Sequence, residues 1–307
     1  MDELTYRLST IEILEKKTLT QKKVEKPIYI FSYEPLHFYF DDYVKSIIHY
    51  VPNVKLVLYR HNNYCYQYIK KHDISDSIII FIQFFLIITI QPNDYYLLNT
   101  EQLTVTKWYN AMKDVCNRKI NIIDYSTENI KILKNYDKNV KIFHLPYLYN
   151  VNENFYNPLI TKPYDVGLIS TKSGLLNSER RTYIYNKLSK LVKVNLIGGF
   201  GEIRDKELSK CKILINIHFK PTYKILETFR CYRCIYNKML IVSEDQGYPN
   251  TYYLDKYIIF DKFENIIQKT LHVLNNYDFY YKTVFNDFDL EFIHNNCKKI
   301  AEKFINL

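Results

Sequence analysis

Short β-branched runs alternate with helix-spaced segments along most of this chain. Pro27 to Ser32 reads as a first strand. Asp41 and Asp42 open a helix through Tyr50, with Val44, Ile47, Ile48 and Val51 spaced for a buried stripe. Val54 to Tyr59 is a second strand, and a helix near 63–71 follows. Ser77 to Gln83 is a third strand, extended by 84–90. Pro92-Asn93-Asp94 makes a turn before the strand Tyr95 to Asn99. Residues 104–118 are helical, 120–124 a strand, 127–135 a helix, and 140–145 a strand ending at Pro146. Residues 1–25, polar and mixed in charge, form a short helix or a loose arm.

Residues 147–163, YLYNVNENFYNPLITKP, break the alternation with Asn and Pro and are read as a linker. A second series then begins: strand 165–170, helix 178–191, strand 193–198, helix 203–210, strand 212–218, helix 221–236 and strand 239–243. Strand 257–261 and helix 263–275 complete it, and a tail helix over 286–305 packs back on the linker. Strands alternating with helices predict parallel sheets. The expected fold is therefore α/β, with two Rossmann-like domains spanning residues 1–150 and 151–307.

Composition narrows the class. A chain of 307 residues with 47% hydrophobic and 24% charged positions is globular. Its 31 tyrosines against six glycines, with abundant Asn, Ile and Lys, are what an A/T-rich genome encodes. The net charge of +9 points to anionic partners, but it is scattered, with no basic tail for nucleic acid. The apolar run Ile78 to Ile90 contains Gln83 and is shorter than the roughly 20 residues a membrane span needs. It is assigned to the core, and no membrane span is expected. Six cysteines without a scaffold spacing, and no leading apolar signal, suggest free thiols in the cytoplasm. Cys231-x-x-Cys234 has no second pair to complete a zinc site. Asp41-Asp42 lacks the strand context of a metal pair.

The densest candidate chemistry lies in Cys211 to Glu244. An apolar strand passes through His218 and Lys220 into Pro221, which suits the first turn of a helix. On the expected helix, Ile225, Phe229, Tyr232 and Tyr236 share one face, with Glu227, Arg230 and Cys234 on the other. A carboxylate at that sheet edge can hold ribose hydroxyls, and an Arg can pair with a diphosphate. An exposed i,i+3 ion pair would explain the same spacing.

The segment INIHFKPTYKILETFRCYRCIYNKMLIVSE resembles the donor-binding block of GT-B-fold glycosyltransferases, most closely the giant-DNA-virus and spore-coat-type branches. Asn216 and His218, then Leu226, Glu227 and Arg230, then Val242, Ser243 and Glu244 carry the likeness. Ile235 stands where many such enzymes have a second glutamate, so a retaining mechanism of that subgroup is not implied. LLNTEQLT, ending at Thr104, and IIDYSTENI at 122–130 also resemble this family, which extends the likeness over roughly 78–245.

The resemblance implies two domains facing each other across a cleft. It implies a metal-independent transfer of sugar from a nucleotide-diphosphate donor, UDP-sugar favoured, to a glycan or protein hydroxyl, without a bound cofactor. Glu101 with Gln83, Asn99 and Gln102 is expected on the acceptor side; Asn99 and Thr100 would equally cap a helix. Ser170, Lys172, Arg181, Lys220, Tyr223, Glu227 and Arg230 are expected on the donor, with Gly198 and Gly199 giving close backbone approach. Glu101 and His218 are the candidate catalytic groups. Two other readings stand beside this one: an inactive virion or scaffold relative, and a nucleic-acid-binding protein that stacks bases on its aromatics.

Overall fold

The computed structural model describes residues 26–51, 53–83, 95–245, 247 and 252–307. The expected arm over 1–25, the extension over 84–90 and the turn at 92–94 lie outside these residues.

Two parallel sheets organise the chain. The first has the order β2-β1-β3-β4-β5-β6, from β1 (Ile28–Tyr33), β2 (Val54–Tyr59), β3 (Ile78–Ile82), β4 (Tyr95–Asn99), β5 (Asn121–Asp124) and β6 (Ile142–His144). The second has the order β11-β10-β9-β7-β8, from β7 (Tyr164–Ile169), β8 (Val194–Ile197), β9 (Cys211–Asn216), β10 (Leu240–Glu244) and β11 (Ile259–Asp261). Strand β3, IIIFI, is buried throughout because helices cover both sheet faces. In each sheet the second strand flanks the first on one side and the third strand on the other. Ligands in such sheets bind outside the carboxyl ends near that reversal.

Helices α1 (Asp41–Tyr50), α2 (Asn62–Lys71), α3 (Thr106–Asn117) and α4 (Thr127–Tyr136) accompany the first sheet. The second carries α5 (Lys172–Leu176), α6 (Glu179–Leu188), α7 (Gly201–Leu208), α8 (Thr228–Tyr236), α9 (Ile266–Asn275), α10 (Tyr277–Val284) and α11 (Leu290–Ile305). Helix α1 buries Val44 and Ile47 as its spacing predicts, with Ile48 half-buried. Ser126 and Ser178 cap α4 and α6 by accepting from backbone N–H groups of the first turn.

The helix expected over 221–236 begins only at Thr228. Pro221 does not open it. Lys224 N donates to Thr104 Oγ1 at 3.3 Å and Ile225 N to Gln102 Oε1 at 2.9 Å, so the first half of the chain pulls this segment out of the helical pattern. The expected split into apolar and solvated faces fails as well. Cys231 through Tyr236 are all buried, because α8 is covered on both sides. The short α5 fills the interval between the expected strand 165–170 and helix 178–191, and α10 follows α9 in a stretch to which no element is assigned above.

One core runs through both halves, from Ile30 and Ile47 to Ile215, Leu240 and Phe304. A second, around Phe31, Phe81, Leu97 and Met112, lies within the first half. A buried ion network also crosses between them. Arg233, 1% exposed, donates through Nε to Asp205 Oδ1 at 2.9 Å and through Nη1 to Tyr147 OH at 2.8 Å. Its Nη1 stands 3.0 Å from Glu153 and 3.4 Å from Asp42, while Arg204 Nη2 donates to Asp42 at 2.6 Å. The last helix reaches back: Tyr50 OH lies 2.8 Å from His294 Nδ1, and Tyr149 N donates to Cys297 Sγ at 3.4 Å. All six cysteines are buried free thiols.

Candidate functional site

Carboxyl ends from both sheets converge on a cavity of about 300 Å³. Residues after β4 and β5 supply Thr100, Glu101, Gln102 and Tyr125; the second half supplies Arg181, Gly199, Phe200, Arg204, Tyr223, Glu227 and Arg230.

Glu227 stands at the N-cap of α8, yet its side chain makes no capping bond. It turns instead to the end of β9. Asn216 Nδ2 donates to Oε2 at 2.9 Å, and His218 Nδ1 stands 3.4 Å from the same oxygen. Arg181 Nη2 lies 3.6 Å from Oε1. Arg230 Nη1 donates to Asn216 Oδ1 at 2.8 Å, so Glu227 and Arg230 are joined through Asn216. Burial alone would raise the Glu227 carboxyl. The charges of His218, Arg230 and Arg181 outweigh it and hold the group well below the usual carboxylate range. Burial, with repulsion from Arg230, brings the Arg181 guanidinium down to about 10. Burial opposes a charge on His218, but Glu227 and Glu244 raise its pKa.

Glu101 faces this cluster from the first half. Burial raises its pKa, although Gln83 Nε2 donates to Oε1 at 2.6 Å and opposes the shift. Its backbone is fixed from behind: Asn99 Nδ2 and Asn129 Nδ2 donate to the Glu101 carbonyl at 3.0 and 2.9 Å. Both amides also donate to Asp124, at 2.7 and 3.0 Å, and Ser126 N donates to it at 2.8 Å. Asp124 is fully buried, which pushes it up to about 7. Sequence reasoning passed over Asp124 within IIDYSTENI; its place at the end of β5 was the available signal.

A second cavity of about 320 Å³ lies beside the first, with Tyr223 lining both. It is walled by Arg180, His218, Lys224, Glu244, Asp245, Lys262, Phe263 and Glu264. Arg180 and Glu244 form an ion pair, and His218 N donates to Glu244 Oε2 at 3.2 Å. Among the described residues, seven buried side-chain polar atoms lack a hydrogen-bond partner. Five belong to the walls of these two cavities: Thr100 Oγ1, Thr228 Oγ1, Arg180 Nε and both ring nitrogens of His218.

The structure therefore brings Glu101, Gln102, Arg181, Gly199, Tyr223, Glu227 and Arg230 to one cavity. His218 lies in the wall of the second, with Glu227 between it and Glu101's cavity. Gln83 and Asn99 support Glu101, and Gln83 also lines a cavity of about 480 Å³ at the edge of β1 and β3. Ser170 is buried and donates to its neighbour's carbonyl. Lys172 and Lys220 are exposed and line neither of the two joined cavities. Gly199, with φ +83°, and Gly201, with φ +55°, turn β8 into α7, whereas a Cβ at Gly198 would meet nothing within 4 Å, so the close approach expected there is not required by the chain. No helix of the described residues is long and apolar enough to cross a membrane.

No family model matches the chain. It is 36% identical over 203 residues to the uncharacterized protein R358 of Acanthamoeba polyphaga mimivirus, covering 63% of this chain and 67% of that protein. It is 30% identical over 266 residues to the uncharacterized protein L140 of the same virus, covering 83% of each. Two longer mimivirus relatives are matched over only 29% and 32% of their own lengths. Among solved structures, the glycotransferase of kitacinnamycin aligns over 90% of this chain and 95% of its own, with 8% identity and a TM-score of 0.38. A Listeria monocytogenes protein assigned as a UDP-N-acetylglucosamine 2-epimerase aligns over 91% and 96%, with 8% identity and a TM-score of 0.37.

Proposed function

We propose that the chain, which belongs to the family of the mimivirus proteins R358 and L140, is a glycosyltransferase of the GT-B type. Residues 1–150 would form the acceptor-side domain and residues 151–307 the nucleotide-sugar domain. The observation that carries this reading is the pairing of two unlike walls across one cavity. Arg181 and Arg230 gather around the ionised Glu227 on one side, and Glu101, with its pKa raised, faces them from the other.

In this reading Glu227 accepts hydrogen bonds from donor hydroxyls, while Arg181 and Arg230 receive the negative charge that develops on the leaving diphosphate. These arginines supply the stabilisation without a metal. Glu101 takes the proton from the acceptor hydroxyl. The acceptor oxygen bonds to the anomeric carbon as that carbon's bond to the diphosphate oxygen breaks, and the electron pair leaves with the diphosphate. One displacement of this kind inverts the anomeric centre. His218, set behind Glu227, orients that carboxylate rather than reaching the acceptor. UDP-sugars are the favoured donors, and the acceptor is a glycan or protein hydroxyl.

The test is calorimetric titration with a panel of nucleoside diphosphates and nucleotide sugars, followed by transfer assays on the donor that binds. Arg230→Ala should weaken donor binding at least about tenfold while the fold survives. Unchanged affinity in that variant would remove Arg230 from the donor site. Donor binding without transfer to any acceptor would favour an inactive relative.

A further inference from the structure

We propose that the two halves of the chain are locked into one body, with Arg233 as the key, so that the walls of the first cavity keep a fixed spacing and ligand enters without rotation of one half against the other. This holds whatever the substrate is.

Two domains in one chain move against each other by default, unless the interface between them is large and apolar. Here one core passes from Ile30 and Ile47 in the first half to Ile215, Leu240 and Phe304 in the second. Helix α8, which carries Arg230 and begins just after Glu227, is itself driven into that interface. Its Phe229 packs on Tyr43 at a ring separation of 4.6 Å and on Tyr125 at 5.1 Å, both from the first half. One turn further, the buried Arg233 meets Asp42 of α1, Tyr147 and Glu153 of the linker, and Asp205 of α7. A guanidinium presents five N–H donors in a rigid fork, which suits four partners from three segments. Rotation would pull Asp42 away from both Arg233 and Arg204 and strip these buried cations of a counter-charge.

Hinge closure needs walls that start apart. These walls already touch, through residues of the cavity itself. Tyr39 and Phe200 both line it, and their rings stand 5.0 Å apart across the two halves. Gln102 lines it and accepts from Ile225 N at 2.9 Å, again across the halves. Tyr125 and Phe229 line it and make the contact already described. Far from the cavity, α11 adds a further joint, with His294 Nδ1 2.8 Å from Tyr50 OH. An interface built to part is more polar than one built to stay. This one is apolar around Phe229 and closed over its ions around Arg233.

The experiment is pulsed electron-spin distance measurement on the full chain, with nitroxide labels at Lys71→Cys and Lys190→Cys, one exposed position in each half. The six native cysteines are buried and stay unlabelled. The otherwise wild-type chain should give a single narrow distance that moves by less than about 2 Å on adding UDP. A second population, or a larger shift with UDP, would overturn the lock. Asp42→Asn, which removes only the first-half partner, should broaden the distribution while circular dichroism shows the fold intact. Arg233→Lys, which keeps the charge but not the fork, should broaden it further. A folded Asp42→Asn chain with a distribution as narrow as wild type would overturn the role of the ion network, whether or not Arg233→Lys folds. If UDP does not bind, the ligand-free distribution decides the lock, and only the glycosyltransferase reading loses support.

Discussion

Asp124 and Glu227 sit at corresponding places, each at the carboxyl edge of a parallel sheet, and they are held by opposite chemistry. Asp124 is surrounded by neutral donors: two amide side chains and one backbone N–H. Hydrogen bonds favour its ionised form, but without a cation burial wins, and the group is pushed up to about 7. Glu227 is half-buried in the cavity wall, and with two arginines and a histidine facing it burial loses. The first arrangement is a structural knot that fixes the Glu101 backbone and can take up a proton near neutrality. The second is a fixed charge that stays ionised across the physiological range. The contrast teaches that the hydrogen-bond count at a buried carboxylate does not set its state. The presence of a cation does.

The largest effect should come from removing the charge at Glu227. Glu227→Gln leaves Arg181, Arg230 and His218 without their anion, and should cost about 3 kcal/mol in urea unfolding and abolish donor binding. A loss under about 1 kcal/mol would mean that water screens the cluster and the contrast is overdrawn. Asp124→Asn should cost less, about 2 kcal/mol, because its one new NH2 group meets a donor on whichever side it takes, Asn99 Nδ2 on one or Asn129 Nδ2 and Ser126 N on the other. Urea midpoints of the two variants under one buffer decide the order.

The pH dependence sharpens the comparison because the two signs differ. Asp124 titrates near 7 folded and near 3.8 unfolded, so the folded chain holds the extra proton in between. Its contribution is complete at low pH and is lost as pH rises through the folded value, with a slope of at most about 1.4 kcal/mol per pH unit. Glu227, with its folded value depressed, contributes above the unfolded value and loses that contribution as pH falls. Unfolding measured from about pH 5 to pH 8 should show the advantage of wild type over Asp124→Asn shrinking as pH rises. A constant difference would refute the raised value at Asp124.

The smallest effect concerns Gln83, which adopts φ +54° while bonding Glu101. Gln83→Gly relieves the backbone and removes that bond, so stability should change by less than about 1 kcal/mol. Without the bond that opposes burial, the acidic limb of the transfer rate against pH, where Glu101 must be ionised to act as base, should move to higher pH. An unmoved pH profile would detach Glu101 from the proton transfer.

Most strands, and most of the helices joining them, are legible in the sequence because each is a local pattern. Asp41–Tyr50, Val54–Tyr59 and Tyr95–Asn99 match the hydrophobic spacing to the residue. The failures come from long-range contacts. Pro221 and the spacing of Ile225 and Phe229 favour a helix, but Gln102 and Thr104, more than a hundred residues earlier, take the N–H groups that would continue it. Arg233 reads as one more charge on α8, since its partners Asp42, Glu153, Tyr147 and Asp205 are scattered along the chain. Glu101, Arg181, Glu227 and Arg230 were visible as polar residues beside strand ends. That His218 lies behind Glu227, and that Asp124 anchors Glu101, are facts of packing no spacing encodes.

The last helix has a consequence for biosynthesis. Tyr50 and Tyr149 find His294 and Cys297 only when residues near the end of the chain are present. On the ribosome, at about 5–20 residues per second, the first sheet emerges roughly ten seconds or more before its final packing partner. Through that interval the nascent amino-terminal half exposes the flank that Leu290–Ile305 will cover, apolar surface that stays open to wrong partners until that helix emerges.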